Sequence, residues 1–80
     1  MVKELILSLL GMEKLLKRNG ARRVSEEAKE ALRDELERYA DALAQRAVRF
    51  SAHAKRRTVQ AEDIRLAREH TGKELRPGSS

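Results

Sequence analysis

The apolar positions of this chain recur at helical spacing, and no stretch alternates for long enough to read as a strand. In the first segment Leu5, Leu9, Met12 and Leu16 form a stripe with Ile6 and Leu10 beside it, which predicts a helix over about Val2 to Arg18. Asn19-Gly20 is the expected stop, because both residues tolerate the left-handed conformation of a helix C-terminus. Gly11 lies inside the pattern and is a place where this helix can kink or end early. The second segment contains neither Gly nor Pro from Ser25 to Ala54. Ser25 reads as its N-cap, with Glu26 and Glu27 set against the positive end of the helix dipole. The stripe Ala28, Leu32, Leu36, Tyr39, Leu43, Ala47, Phe50, Ala54 advances by three or four throughout. After "KRRT" a third helix is expected over about Gln60 to His70, with Ala61, Ile64 and Ala67 on one side and Leu66 on another. Thr71-Gly72 should close it, leaving residues 72–80 as a disordered tail whose Pro-Gly-Ser-Ser end need not be native. The expectation is an all-α fold of one domain, residues 1–71, with an extended first helix.

A middle helix of about 30 residues is a rod of about 45 Å. A compact chain of this length has a radius of gyration of only about 12 Å, so two shorter helices cannot cover the whole apolar stripe. The simplest solution is two copies crossing their long helices antiparallel, an obligate dimer with Leu32, Leu36, Tyr39, Leu43 and Ala47 in a shared core. Tyr39 near the crossing is then a packing residue rather than a catalytic phenol. Such a crossing near Tyr39-Ala40 sets "ARRVS" of one chain beside "KRRT" of the other, because Arg23 and Arg57 are equally far from it. Two basic clusters become one patch, made twice per dimer and extended by Lys14, Lys17 and Arg18. The acids gather instead on the first half of the long helix.

Composition narrows the chemistry. Among 80 residues there is no cysteine, which excludes disulfides, thiolate catalysis and cysteine-based zinc sites. His53 and His70 have no companion at i+3 or i+4, so neither a metal nor a cofactor is expected. No nucleophile–base set or phosphate loop supports an enzyme. The net charge of +5 and pI near 10.1 suit nucleic acid, an anionic membrane surface or an acidic protein. The leading apolar run is too short to span a bilayer, carries Glu4 and lacks a cleavage site, so a soluble intracellular protein is expected.

"GARRVSEEAKEAL" together with "HAKRRTVQAEDIRLA" resembles the archaeal histones over about Met12 to Ala67. The resemblance implies the histone fold of short, long and short helices, interlocked as a handshake dimer that binds and wraps double-stranded DNA without reading its sequence, in the chromosome-associated cytoplasm. It implies DNA contact by Lys14, Lys17, Arg22, Arg23, Ser25, Lys55, Arg57 and Thr58. Arg23 resembles the family's minor-groove arginine, held near Thr58 in the other chain's loop, where the groove's concentrated negative potential attracts a guanidinium. Arg56 and Asp63 match a clamp between loop and third helix. Phe50, His53, Asp63 and Leu66 match a contact between dimers; read without the family, His53 serves only the C-terminus of its own helix. The chain departs from the pattern in its long apolar lead, "VKELILSLLG", and in Asn19 where Ala is common. A histone-fold protein pairing with a different chain, of the centromere-associated or transcription-factor kind, is the other reading.

Overall fold

A computed structural model of the chain describes residues 4–75, with side chains described through Thr71. Among these residues there are three helices and no strand: α1 (Leu9–Arg18), α2 (Glu26–His53) and α3 (Ala61–Leu75). The order is a short helix, a long one and a third of 15 residues, all-α as the apolar spacing predicts. Two compact units divide inside α2, at Arg38 and Tyr39.

The first unit holds α1 and the opening half of α2. The helix expected from Val2 begins at Leu9 instead, and residues 1–3 lie outside the described part. Ser8 is the reason. Its backbone is extended (φ −86°, ψ 148°) and its Oγ accepts the amide of Gly11 at 3.0 Å, an N-cap that ends upstream propagation. Gly11 does not break the helix. A Cβ placed there would stand 3.0 Å from the Ser8 hydroxyl, so glycine gives the cap its room. Ahead of the cap, the amides of Ile6 (2.6 Å) and Leu7 donate to one carboxylate oxygen of Glu37, a residue of α2 only 5% exposed. These two amides therefore have an acceptor without any helix, and the apolar spacing at Leu5, Ile6 and Leu9 misleads for that reason. At the other end α1 stops where expected. Gly20 takes φ +109°, its amide donates to Lys17 O and that of Ala21 to Leu16 O. This double closure satisfies carbonyls the helix leaves open.

The second unit holds the closing half of α2 and α3. Ala47 and Ala67 are fully buried in it, and small side chains are what allow two helices to approach closely. Thr71 does not close α3. It is 0% exposed, and the helix continues through Gly72 to Leu75, so residues 72–75 of the expected tail are helical while 76–80 lie outside the described part. A buried threonine in the helix interior outweighs the weak stop signal of the glycine after it.

Few apolar side chains are fully buried among the described residues. The buried apolar residues among those described are Met12, Ala47 and Ala67. Leu32, Leu36, Tyr39 and Leu43 of the α2 stripe are half-buried, while Leu10, Val48 and Leu66 are exposed. Much of the α2 stripe therefore keeps apolar surface in water that a further packing partner can remove.

Candidate nucleic-acid interface

The loop between α1 and α2 is bounded by two firm caps. Behind it stands the Gly20 closure. Ahead of it, Ser25 Oγ accepts the amide of Ala28 at 3.0 Å, as an N-cap should, and α2 begins at the next residue. Within that frame Arg22 and Arg23 are exposed, as is Lys14 one turn back on α1. No acid pairs with these three among the described residues. Lys17 also faces solvent but bridges to Glu13 at 3.0 Å, and Glu13 reaches Lys29, which in turn holds Glu26 at 2.6 Å. The Lys17 hydrogen bond and charge, followed by the charge of Lys29, hold the Glu13 carboxyl below its usual range. Lys29 is raised, chiefly by its hydrogen bond to Glu26. Ion pairs this open contribute little, so Lys17 keeps its cationic reach.

The loop between α2 and α3 is held far more tightly. α2 ends in a second double closure, with Lys55 N–H donating to Ala52 O (2.9 Å) and Arg56 N–H to Ser51 O (3.0 Å). Lys55 occupies the left-handed position of this turn, φ +59°. The buried Ser51 hydroxyl lies 3.0 Å from Arg56 O and 3.2 Å from Thr58 O, pinning the loop at two carbonyls. The Arg56 guanidinium donates to Thr58 O (3.1 Å) and to both oxygens of Asp63 (2.9 Å each), a planar fork on a planar carboxylate. Asp63 then accepts the amide of Gln60 at 2.8 Å, closing the N-terminus of α3 from its third position. The Arg56 hydrogen bonds, followed by that of the Gln60 amide, hold the Asp63 carboxyl at about 2, against an ordinary 3.8. Arg56 is raised in turn by the same pair. One cation of "KRRT" is thus engaged inside the loop. The other two, Lys55 and Arg57, are exposed with no acid beside them among the described residues, and Thr58 is exposed too.

Of the residues matched to a contact between dimers, His53, Phe50, Asp63 and Leu66 all line one open groove of about 620 Å³. Phe50 also meets the His70 ring, centroids 6.0 Å apart and tilted by 45°. Asp63 is only 3% exposed and already accepts three hydrogen bonds, which leaves little of it for a further donor.

Sequence reasoning overlooked Ser51 and Glu37, the two polar side chains that tie down the loop and the lead. The one available signal for Ser51 was its place four residues after Ala47, on the apolar side of α2. Glu37 gave none, since it continues a run of acids that reads as a solvated face.

No helix among the described residues is long and apolar enough to cross a membrane, and no cluster of His, Asp or Glu there could hold a metal ion. Residues 8–67 match the family of histone-like transcription factors (CBF/NF-Y) and archaeal histones, starting at the Ser8 cap and ending at the buried Ala67. Over 61 residues the chain is 46% identical to one of the subunits of the archaeal histone HAN1 from Thermococcus zilligii, covering 76% of this chain and 91% of that one. It is 43% identical over 54 residues to probable archaeal histone 3 of Methanocaldococcus jannaschii, covering 68% and 81%. Helix order, clamped loop and sequence agree, and the chain belongs to the histone-fold family of the archaeal histones.

Proposed function

We propose that this protein is an architectural chromatin component, which dimerises and then binds, bends or wraps duplex DNA with little regard to sequence. The observation that carries this reading is the state of the loop cations. Arg22, Arg23, Lys55 and Arg57 are exposed without acidic partners among the described residues, on loops whose backbones are fixed by caps, Ser51 and the Arg56–Asp63 pair. Pre-ordered cations lose little freedom when a phosphate arrives. Nothing in either loop offers the amide side chains that read adenine edges in the major groove, except Asn19 and Gln60 at their margins.

Dimerisation supplies that packing partner. Two copies crossing antiparallel over the α2 stripe bury Leu32, Leu36, Tyr39, Leu43 and Ala47 together, and bring the α1–α2 loop of each beside the α2–α3 loop of the other. Arg23 then faces the minor groove near the other chain's Thr58, with Lys14, Lys17 and the Ser25 end of α2 toward phosphates. Dimers meet further along the groove of Phe50, His53, Asp63 and Leu66. The chromosome is the expected location.

Salt titration tests the reading. Affinity for mixed-sequence duplexes should fall with a log–log slope of about −0.9 per phosphate neutralised, and nuclease digestion should leave protected fragments of discrete length. A flat salt response, or binding restricted to one sequence, rules it out. A second reading, a chain that pairs with a different histone-fold protein, is favoured by one relative being named as a subunit. Sedimentation of the pure chain separates the two: a self-sufficient protein is a folded dimer, a half-partner aggregates or stays unfolded.

A further inference from the structure

We infer that Lys55 is a phosphate ligand retained at the expense of the fold, so that one residue of this chain favours DNA affinity over stability. The inference rests on the DNA-binding reading above and deepens it. Lys55 is the one residue other than glycine with positive φ among those described. The double closure of α2 needs a left-handed residue at this place, and the equivalent place after α1 is taken by Gly20. For a residue with a Cβ that conformation is strained, whereas glycine adopts it freely.

A strained lysine can be explained by something its side chain does for the fold, but no such task is visible. Lys55 is exposed, and its side chain has no hydrogen bond or ion pair among the described residues. Its neighbour Arg56 carries the internal work of the loop, through Asp63 and Thr58. What Lys55 does supply is a charge on a backbone fastened from both sides, one residue from the Arg56 clamp and two from the exposed Arg57. The left-handed turn that closes α2 sets where that charge is presented. Position 55 is thus the place in the loop where a substitution most readily gains stability, and one where losing the charge weakens binding.

Three variants separate the two roles on the full chain with a mixed-sequence duplex. Lys55→Gly should melt a few degrees higher than the parent, net of the greater freedom glycine gives the unfolded chain. It should also bind more weakly, with the salt slope shallower by about 0.9 per loop and affinity at 0.1 M salt reduced by up to about eightfold per loop. Lys55→Ala should show the same loss of binding without the gain in melting temperature. Lys55→Arg should match the parent in both. A Lys55→Gly protein with the parent's affinity and slope overturns the inference, and so does one that melts no higher than Lys55→Ala. A parent that fails to bind duplex DNA removes the underlying reading and this inference with it; a binding parent matched by Lys55→Gly removes this inference alone.

Discussion

Arg56 and Asp63 stand seven residues apart in the chain and meet through two parallel hydrogen bonds of 2.9 Å, while the same carboxylate accepts the Gln60 amide. Loop and helix start are thereby one unit. Removing the arginine leaves a 3% exposed carboxylate with one donor in place of three and leaves Thr58 O with the Ser51 hydroxyl alone. Arg56→Ala should lower the melting temperature by at least about 5 °C and weaken DNA binding through the loosened loop. Parental melting would show that the pair is ornamental.

Acid should act through the same carboxylate. Its folded value of about 2 lies below the ordinary 3.8, so below about pH 4 the unfolded chain takes up a proton that the folded chain refuses. The stabilisation is complete above that range and is lost as pH falls from about 4 towards 2. Glu13, also lowered, adds to the decline in the same direction. Asp63→Asn should flatten the acid limb of a melting-temperature profile without abolishing it, and at neutral pH it should melt lower than the parent. An acid limb as steep as the parent's would assign the proton uptake elsewhere.

Arg23 makes the opposite prediction. It is exposed and takes no part in the hydrogen bonds that cap its loop, so Arg23→Ala should change stability by no more than about 0.5 kcal/mol. DNA affinity should nevertheless fall across mixed sequences, with a shallower salt slope. Circular dichroism and a salt titration on the same preparation give both numbers.

Leu43→Asp tests the proposed shared core. The leucine is half-buried in the single chain, and burying a carboxylate there on pairing costs about 3 kcal/mol or more. Folding and dimerisation should disappear together over a dilution series. A folded monomer at low concentration would mean that one chain completes a core alone.

Leu66→Glu probes the proposed contact between dimers. Leu66 is 41% exposed on the wall of the groove it shares with Phe50 and His53. The variant should remain a folded, DNA-binding dimer while its longest nuclease-protected fragments shorten towards the length covered by one dimer, with His53→Ala a milder version. Because Asp63 is already engaged three times and a single added hydrogen bond contributes only about 1 kcal/mol, the proposed contact should draw most of its attraction from Phe50 and Leu66. Protected lengths equal to the parent's would place the contact on another surface.

The parts of this fold legible in the sequence are those where local chemistry and hydrophobic period agree. The α2 helix lies within one residue of its expected ends because Ser25 caps it and no Gly or Pro interrupts it. Asn19-Gly20 stops α1 as its conformational freedom requires. The errors arise where a distant group takes over a local duty. Glu37 accepts two amides that a longer α1 would have bonded internally, and burial of Thr71 carries α3 past a glycine. The site divides likewise: its cations are visible as charges, but the Ser51 hydroxyl that fixes their loop is hidden in a residue type usually left to solvent.

Glu37 grips the lead of the chain by main-chain amides alone, at Ile6 and Leu7. Such a grip is blind to side-chain identity. Ile6, 80% exposed, can become almost any residue without loosening it, and proline at position 6 or 7 is the change that must, since it brings no N–H. At these two positions the letters can drift while the attachment to the long helix stays the same, and only from Ser8 onward does side-chain identity begin to matter for the start of α1.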